Sequence, residues 1–279
     1  MIKHYLLFAK WRKKDVEFLN SLKLDRLVEE GYFGIPLEEG EVKKKILEHY
    51  SKKDSLFQKT KPSEFSLKFQ SVTFSKKELD NAGYYALNGI FQKNNGYPEP
   101  QNSLKYEDII FKYDNKKFRV NKTQIAPFSV KKPKWNKTQK GFSLEWEFEF
   151  AFFKKEFYQE VLAPLGLQAM DVLDYKTGKP LEDTVQLIIP TAKSKLLLEG
   201  SAYDIHPLSE TGGYKQYALQ TLDFFPPFEK KIDFHICYSQ EELLRGHRKI
   251  IISKEFCDLL VKHNIIEYTT DQLTPLKHE

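Results

Sequence analysis

The segment from Ser143 to Phe150 alternates apolar and acidic side chains without a break. A two-residue period is typical of a β-strand that buries one face and exposes the other. The same period recurs at residues 65–70 and 109–113, where Phe, Leu, Ile or Tyr stands at every second position. A chain that repeats this pattern is expected to build antiparallel sheets, because such sheets commonly pack one face on a core.

Aromatic residues indicate what that core contains. The 279 residues include 22 Phe and 15 Tyr, and 41% of the chain is hydrophobic. Phe and Tyr favour strands and bury large areas. Helices are predicted at residues 15–30 and 42–50, and a short one after Ser75, where Ser75 and Glu78 have the spacing of a capping box. The expected class is α+β, with mostly antiparallel, aromatic-rich sheets and short flanking helices.

The pattern of elements divides the chain into an N-terminal α+β unit, residues 1–141, and a C-terminal α+β unit, residues 142–279. A single domain is the alternative. Residues 151–181 and 251–276 share an order of strand, short amphipathic helix and strand. Gly166 and Asn264 stand where each helix should end, and both tolerate the left-handed conformation that terminates helices. The shared order predicts either an internal strand–helix–strand repeat or two independent uses of the same local signals.

Cysteine content and hydropathy indicate the compartment. The chain has two cysteines, Cys237 and Cys257, which are too few for a disulfide framework and lack the CxxC spacing of a structural zinc site. No segment approaches the roughly 18 apolar residues that span a bilayer. We therefore expect a cytoplasmic protein with no membrane partner, no metal and no cofactor.

Three glutamates, Glu145, Glu147 and Glu149, occupy the polar side of the alternating segment. On one strand face their carboxylates would lie close together and repel, so they need lysines from neighbouring strands or a basic partner. The pattern predicts either a solvated face paired across the sheet or an acidic patch that binds a cationic protein.

Residues 116–140 contain no acidic residue, and Phe118, Phe128 and Trp135 interleave with their basic side chains. The basic residues are Lys116, Lys117, Arg119, Lys122, Lys131, Lys132, Lys134, Lys137 and Lys140. Lysines that contact phosphates and rings that stack on bases would suit single-stranded nucleic acid. The alternative is a hairpin and loop with solvated lysines and core aromatics, which the modest net charge of +5 favours.

Two regions of the sequence contain residues that could take part in catalysis or bind a metal. His235 and Cys237 share one strand face, and the loop at residues 203–213 collects Asp204, His206 and paired glycines. Neither place has the signature of a nucleophile elbow or of a phosphate-binding glycine loop. We predict no catalytic residue and no metal ligand, and an enzyme with its site in this loop is the last alternative.

The C-terminal part of the chain carries a resemblance. Its segments are Asp233–Phe234, Arg248–Phe256, Leu259–Leu260, Asn264–Ile265 and Leu273–Leu276. This arrangement resembles the C-terminal unit of bacterial immunity proteins that accompany polymorphic, contact-delivered toxins. In that unit a strand leads through a serine into a short helix, and the final strand ends near a proline. The resemblance implies neutralisation of a cognate toxin by tight binding, through an interface of about 800 Å² per partner.

The sequence thus favours a non-enzymatic protein-binding module. Its predicted partner-binding residues are Glu145, Glu147, Glu149 and Trp135. A nucleic-acid-associated protein that uses residues 116–140 is the first alternative.

Overall fold

In the computed structural model the chain forms two compact units, Met1–Asp80 and Asn81–Glu279. The structure describes residues 1–24, 27–51, 61–88, 110–117, 119–144, 147, 149–198, 203–207, 215–219, 223–243, 246–269 and 272–277. The boundary predicted between residues 141 and 142 falls inside the second unit. It does so because a strand at Tyr84–Leu87 pairs with strands close to the C-terminus.

The first unit is a three-stranded antiparallel sheet in which β1 (Ile2–Trp11) lies between β2 (Gly31–Glu38) and β3 (Ser63–Thr73). Helices α1 (Lys13–Ser21) and α2 (Glu41–Ser51) follow β1 and β2. The buried residues of this unit form one cluster, which includes Leu7, Trp11, Leu19, Ile35, Ile46 and Tyr50.

A third helix, α3 (Lys76–Asn81), follows β3. Its capping box is confirmed, because Ser75 Oγ accepts from the backbone N–H of Glu78 at 3.3 Å. The Glu78 carboxylate in turn accepts from the backbone N–H of Ser75 at 2.8 Å.

Helix α1 is shorter than the predicted helix at residues 15–30. Lys23 adopts a φ of 55°, which ends the helical path. The Asn20 side chain then accepts from the backbone N–H of Val28 at 2.7 Å and donates to its carbonyl at 3.1 Å. Leu22 and Leu24 still pack against the core. The apolar period therefore predicted burial correctly for Leu19 but not for Leu27, which is 81% exposed. The helix ends before Leu27, so the helical period no longer applies there.

The second unit contains two larger sheets. The first has the order β7 (Ser129–Val130), β10 (Gln168–Asp174), β11 (Pro180–Ile188), β9 (Phe152–Lys154) and β8 (Gly141–Phe142). The second has the order β14 (Ile236–Glu242), β15 (Arg248–Ser253), β4 (Tyr84–Leu87) and β16 (Leu273–Pro275). Two further strand pairs join β5 (Phe111–Lys112) to β6 (Thr123–Gln124) and β12 (Tyr203–Pro207) to β13 (Lys215–Leu219). Of these described pairings, β7 with β10 is parallel and the others are antiparallel.

In each larger sheet, one strand is followed directly by a short helix. Helix α4 begins at Lys155–Phe157 and continues through a π-helical turn and a 3₁₀ turn to Leu165, and α5 is Lys254–Lys262. The predicted helix ends are confirmed, because Gly166 and Asn264 have φ values of 77° and 57°.

The two larger sheets also share a strand order. In the first, β11 separates β9, which precedes the helix, from β10, which follows it; in the second, β4 separates β15 from β16. The separating strands differ in chain position, because β11 follows β10 whereas β4 precedes β15, so the shared order does not decide between a repeat and two independent uses of the same signals. A common origin of the two units stays a prediction.

The core of the first larger sheet is aromatic, as expected. Phe111, Phe128, Phe142, Phe150 and Phe152 are all buried in one cluster. The rings of Phe142 and Phe152 stack with centroids 5.1 Å apart. The fold is α+β, with mostly antiparallel sheets and short helices, and the predicted class is confirmed. Across the described parts of the chain, no helix combines the length and the apolar character needed to cross a bilayer.

Candidate functional site

The second unit contains a cleft of about 490 Å³. Residues 122–127 form one wall, residues 186–189 form another, and Glu149, Phe150, Tyr238 and Arg248 are also part of the lining. We call it the Arg248 cleft, after the basic side chain at its accessible side. A concave site with a few convergent polar groups in an apolar surround is the usual form of a binding site.

A group of buried charges adjoins this cleft, and its members Lys122 and Glu149 line the cleft and form what we call its floor. The ammonium of Lys122 is 2.6 Å from Oε2 of Glu147 and also contacts Oε1 of Glu149. The three side chains are 4%, 0% and 4% exposed. Together with His247, whose Nδ1 lies 3.5 Å from Oε2 of Glu149, they form what we call the buried ion cluster.

Glu149 is held from several directions. Its Oε2 accepts from the backbone N–H of Arg248 at 2.9 Å, at the first residue of β15. Its backbone carbonyl accepts from the hydroxyl of Tyr238, on β14, at 2.8 Å. A carboxylate that accepts from a backbone N–H and contacts an ammonium, with an imidazole nitrogen 3.5 Å away, has little freedom to move. Glu149 therefore anchors its irregular segment to β14 and β15 of the second larger sheet.

Unusual backbone conformations bring the cluster together. Lys122 follows Arg119 and Asn121, whose φ values are 53° and 50°. Gly246, with a φ of 73°, packs so closely that a Cβ placed there would lie 1.9 Å from the carbonyl oxygen of Arg119. The backbone N–H of Asn121 also donates to Glu242 at 3.1 Å. A glycine at residue 246 is thus required for the turn that carries His247 to approach the turn that carries Lys122.

Burial and pairing move the two carboxyl groups of the cluster in opposite directions. Burial raises the pKa of Glu147, and the neighbouring charge of Glu149 adds to the rise. Burial also opposes ionisation of Glu149, but the neighbouring His247 side chain and the charge of Lys122 outweigh that effect and lower its pKa. The cluster therefore favours an ionised Glu149 with a Glu147 that keeps its proton more readily than an ordinary carboxyl group.

Three side chains of the cluster could in principle hold a metal ion. Ligand atoms of Glu147, Glu149 and His247 all lie within 4.8 Å of one another. The Lys122 ammonium, however, already contacts both carboxylates and supplies the positive charge there. An ion would have to displace that ammonium, so the residues present do not form a ready metal site. Within the described residues, Oε1 of Glu147 is buried without a hydrogen bond, which agrees with its raised pKa.

The accessible side of the cleft differs from its floor. The Arg248 side chain is 26% exposed, and its Nη1 donates to Oγ1 of Thr191 at 3.2 Å. Gln124 and Gln186 donate to each other, at 2.9 and 2.7 Å. Two exposed apolar side chains stand at the rim, Ile125 at 59% and Ile188 at 42%.

The predicted exposed glutamate stripe is wrong for Glu147 and Glu149, which are buried. Of residues 143–150 the structure describes 143, 144, 147, 149 and 150, and none of these lies in a strand. Without strand geometry the two-residue period does not assign opposite faces, and Glu149 and Phe150 are both buried. Glu145 lies outside the described residues.

Trp135 is half-buried and belongs to the aromatic core. Its ring packs on Phe142 with centroids 5.5 Å apart, and its Nε1 donates to Oγ1 of Thr184 at 3.1 Å. Phe128 is fully buried. These two rings of the basic segment are therefore used in packing, which leaves Lys116, Lys117, Lys131, Lys132, Lys134 and Lys137 as its exposed basic residues. Phe118 lies outside the described residues.

The described part of the chain gives no support to a reactive site at His235 and Cys237, or to an enzyme site in the loop at residues 203–213. Burial raises the pKa of Cys237 and of Cys257 to about 12, so both thiols stay protonated at neutral pH. In the loop at residues 203–213, the backbone of 203–207 forms β12, and residues 208–213 lie outside the described chain.

Sequence reasoning missed Lys122, His247 and Arg248 as partners of the glutamates. They come from a turn after residue 115 and from the start of β15, far from the glutamates along the chain. A buried lysine or glutamate carries no local motif. The available signal was that three closely spaced carboxylates require positive charges nearby. This requirement does not indicate which residues supply those charges.

A second cleft, of about 540 Å³, lies in the first unit. Glu38, Glu39 and Glu41 line it together with Tyr5 and His4. We call it the Glu39 cleft. Lys43 lies near the carboxylate of Glu39, with its Nζ 2.8 Å from Oε2 and 3.6 Å from the centroid of the Tyr5 ring.

Comparison with known proteins returned no matching family model, no matching curated protein and no matching solved structure.

Proposed function

We propose that this protein is a non-enzymatic, cytoplasmic protein-binding module of the immunity-protein kind, which neutralises a toxin by occupying it. The Arg248 cleft is its anchor site. The observation that carries the proposal is the division of this cleft into a floor of paired charges and a rim of exposed isoleucines.

The floor supports binding better than catalysis. A general acid or base has to reach a substrate, and the carboxylates of Glu147 and Glu149 are at most 4% exposed and contact Lys122. Both cysteine thiols are buried and protonated at neutral pH. The charged groups of the floor therefore serve to hold the cleft in shape.

The rim supports a protein as the occupant. Ile125 and Ile188 are 59% and 42% exposed at the edge of one concavity, beside an arginine. Interfaces concentrate their binding energy in a few central anchors, and arginine is enriched among them. A rigid cleft with apolar edges and one accessible guanidinium fits a partner that inserts a side chain.

The experiment is co-purification of this chain with the product of the adjacent gene, followed by titration calorimetry of the pure pair. Ile125→Asp and Ile188→Asp each place a charge in the apolar rim and are expected to weaken the complex at least tenfold. Leu197→Asp is the matched control, because Leu197 is 46% exposed and lies outside the cleft lining. A complex that tolerates both rim variants would remove the cleft from the interface, and the absence of any complex would overturn the proposed function.

A further inference from the structure

A ligand in the Arg248 cleft meets a positive charge, whereas the sequence predicted an acidic patch. Glu149 is 4% exposed and Glu242 is 7% exposed, whereas the Arg248 side chain is 26% exposed. The ammonium of Lys122 is 4% exposed and contacts two carboxylates. Among these charged groups the guanidinium of Arg248 is the most accessible, and its charge is positive.

The geometry around this guanidinium leaves it able to bind a further acceptor. Its Nη1 donates to Thr191 at 3.2 Å, and its Nη2 lies 3.5 Å from Oε1 of Glu242. The second distance is at the outer limit of a hydrogen bond. A guanidinium has five N–H donors in a planar fork, and that fork matches the two oxygens of a carboxylate.

The two glutamine amides of the cleft wall do not compete for the guanidinium. The amides of Gln124 and Gln186 are joined to each other by two hydrogen bonds, and Gln124 also donates to the carbonyl of Ala126. Phe150 and Tyr238 provide apolar surface in the lining. An apolar surround strengthens a charge-assisted hydrogen bond because it lowers the local dielectric.

We infer that the Arg248 cleft binds the carboxylate of an acidic side chain on the protein partner. The guanidinium of Arg248 forks onto the two carboxylate oxygens, and Ile125 and Ile188 pack against the methylene groups of the same side chain. This inference rests on the proposed function for the identity of the partner. Charge complementarity selects an acidic occupant, because the Glu149 carboxylate that lines the cleft is already paired with Lys122.

The test uses the full chain and a matched pair of probes, N-acetyl-glutamate N-methylamide and N-acetyl-glutamine N-methylamide. Binding is followed by NMR titration of ¹⁵N-labelled protein. The glutamate probe is expected to shift the amide signals of residues that line the cleft, and to bind about tenfold more tightly than the glutamine probe. Arg248→Gln is expected to abolish this preference, and Arg248→Lys to reduce it, since lysine keeps the charge but lacks the fork.

Two controls keep the outcome clear. Lys131→Gln removes an exposed basic side chain outside the cleft and should leave the preference unchanged. Thr191→Val retains Arg248 and removes the hydroxyl that orients it, so it reports on the same site if Arg248→Gln fails to fold. Thermal unfolding of each variant shows which of them are folded.

The outcomes separate this inference from the proposed function. Equal binding of both probes, or tighter binding of the corresponding lysine probe, would overturn carboxylate recognition whether or not a protein partner binds. A glutamate preference that depends on Arg248 in a chain that captures no protein partner would uphold the recognition chemistry and overturn only the partner. Loss of the protein complex on Arg248→Glu, with rescue when the acidic residue of the partner is exchanged for a basic one, would support both.

Discussion

Two clefts of similar volume use glutamate in different ways. In the Arg248 cleft, Glu147 and Glu149 are at most 4% exposed and share the ammonium of Lys122. In the Glu39 cleft, the side chains of Glu38 and Glu39 are 64% and 51% exposed, and Glu39 pairs with Lys43 at 2.8 Å. Both arrangements are ion pairs by distance. Only the buried pair is deprived of water, so only there does removing one partner leave an uncompensated charge.

This comparison assigns different tasks to the two regions. The buried ion cluster ties a turn, an irregular segment and two strands of the second unit together, and it shapes a binding cleft. The exposed glutamates of the first unit lie in solvent, where salt screens them and where they contribute little to stability. The predictions below test whether burial, rather than the presence of an ion pair, determines the effect of a substitution.

The largest effect is expected for Lys122→Met. It leaves Glu147 and Glu149 buried without their shared cation, and the free energy of unfolding should fall by about 3–5 kcal/mol. Urea unfolding followed by circular dichroism measures the change. The double variant Lys122→Met with Glu147→Gln should recover part of the loss, because it removes one of the stranded charges. A single variant as stable as the native chain would show that the cluster does not depend on its lysine.

Gly246→Ala should have the next largest effect. The substitution places a Cβ against the carbonyl of Arg119, and it also forces alanine to adopt a φ of 73°. Backbone strain of this kind costs about 1–3 kcal/mol, and the clash adds to it. Gly178→Ala is the matched control, because Gly178 has a φ of 67° with nothing within 4 Å of its Cβ position. Equal losses in the two variants would show that the contact with Arg119 is not tight.

The aromatic α+β fold and the helix ends could be predicted because their signals are local. Gly166 and Asn264 end helices by their own conformational preferences, and Phe65 and Leu67 alternate within a strand that extends to Thr73. The buried ion cluster could not be predicted, because its members meet only after the turns at Asn121 and Gly246 have formed. The alternation at Ser143–Phe150 misled for the same reason, since tertiary partners outweighed the local period.

The carboxyl groups of Glu149 and Glu147 should change the free energy of unfolding in opposite directions as the pH changes. The lowered pKa of Glu149 contributes stability above the ordinary carboxyl value of 4.5, and this is lost as the pH falls through its folded value. The raised pKa of Glu147 contributes stability that is lost as the pH rises from 4.5 through its folded value.

Glu147→Gln isolates the second effect. The native chain should lose up to about 1.4 kcal/mol per pH unit relative to the variant as the pH rises through the folded pKa of Glu147. Urea midpoints measured between pH 5 and pH 8 on both proteins test this. Parallel pH profiles would contradict a raised pKa for Glu147, and a variant much less stable at neutral pH would show that Glu147 must be ionised.

The smallest effect is expected for Lys43→Met in the Glu39 cleft. Lys43 lies over the Tyr5 ring, and methionine can keep most of that packing while it removes the ion pair with the half-exposed Glu39. The Lys43 side chain is 13% exposed but Glu39 is 51% exposed, so water and salt screen the carboxylate, and the urea midpoint should stay within experimental error at physiological salt. Lys76→Met is the matched control, because Lys76 is 82% exposed against 13% for Lys43, while the partner carboxylates Asp80 and Glu39 are similarly exposed, at 42% and 51%. A loss in Lys43→Met as large as that in Lys122→Met would mean that exposure does not decide what an ion pair contributes, and the contrast between the two clefts would then need another physical cause.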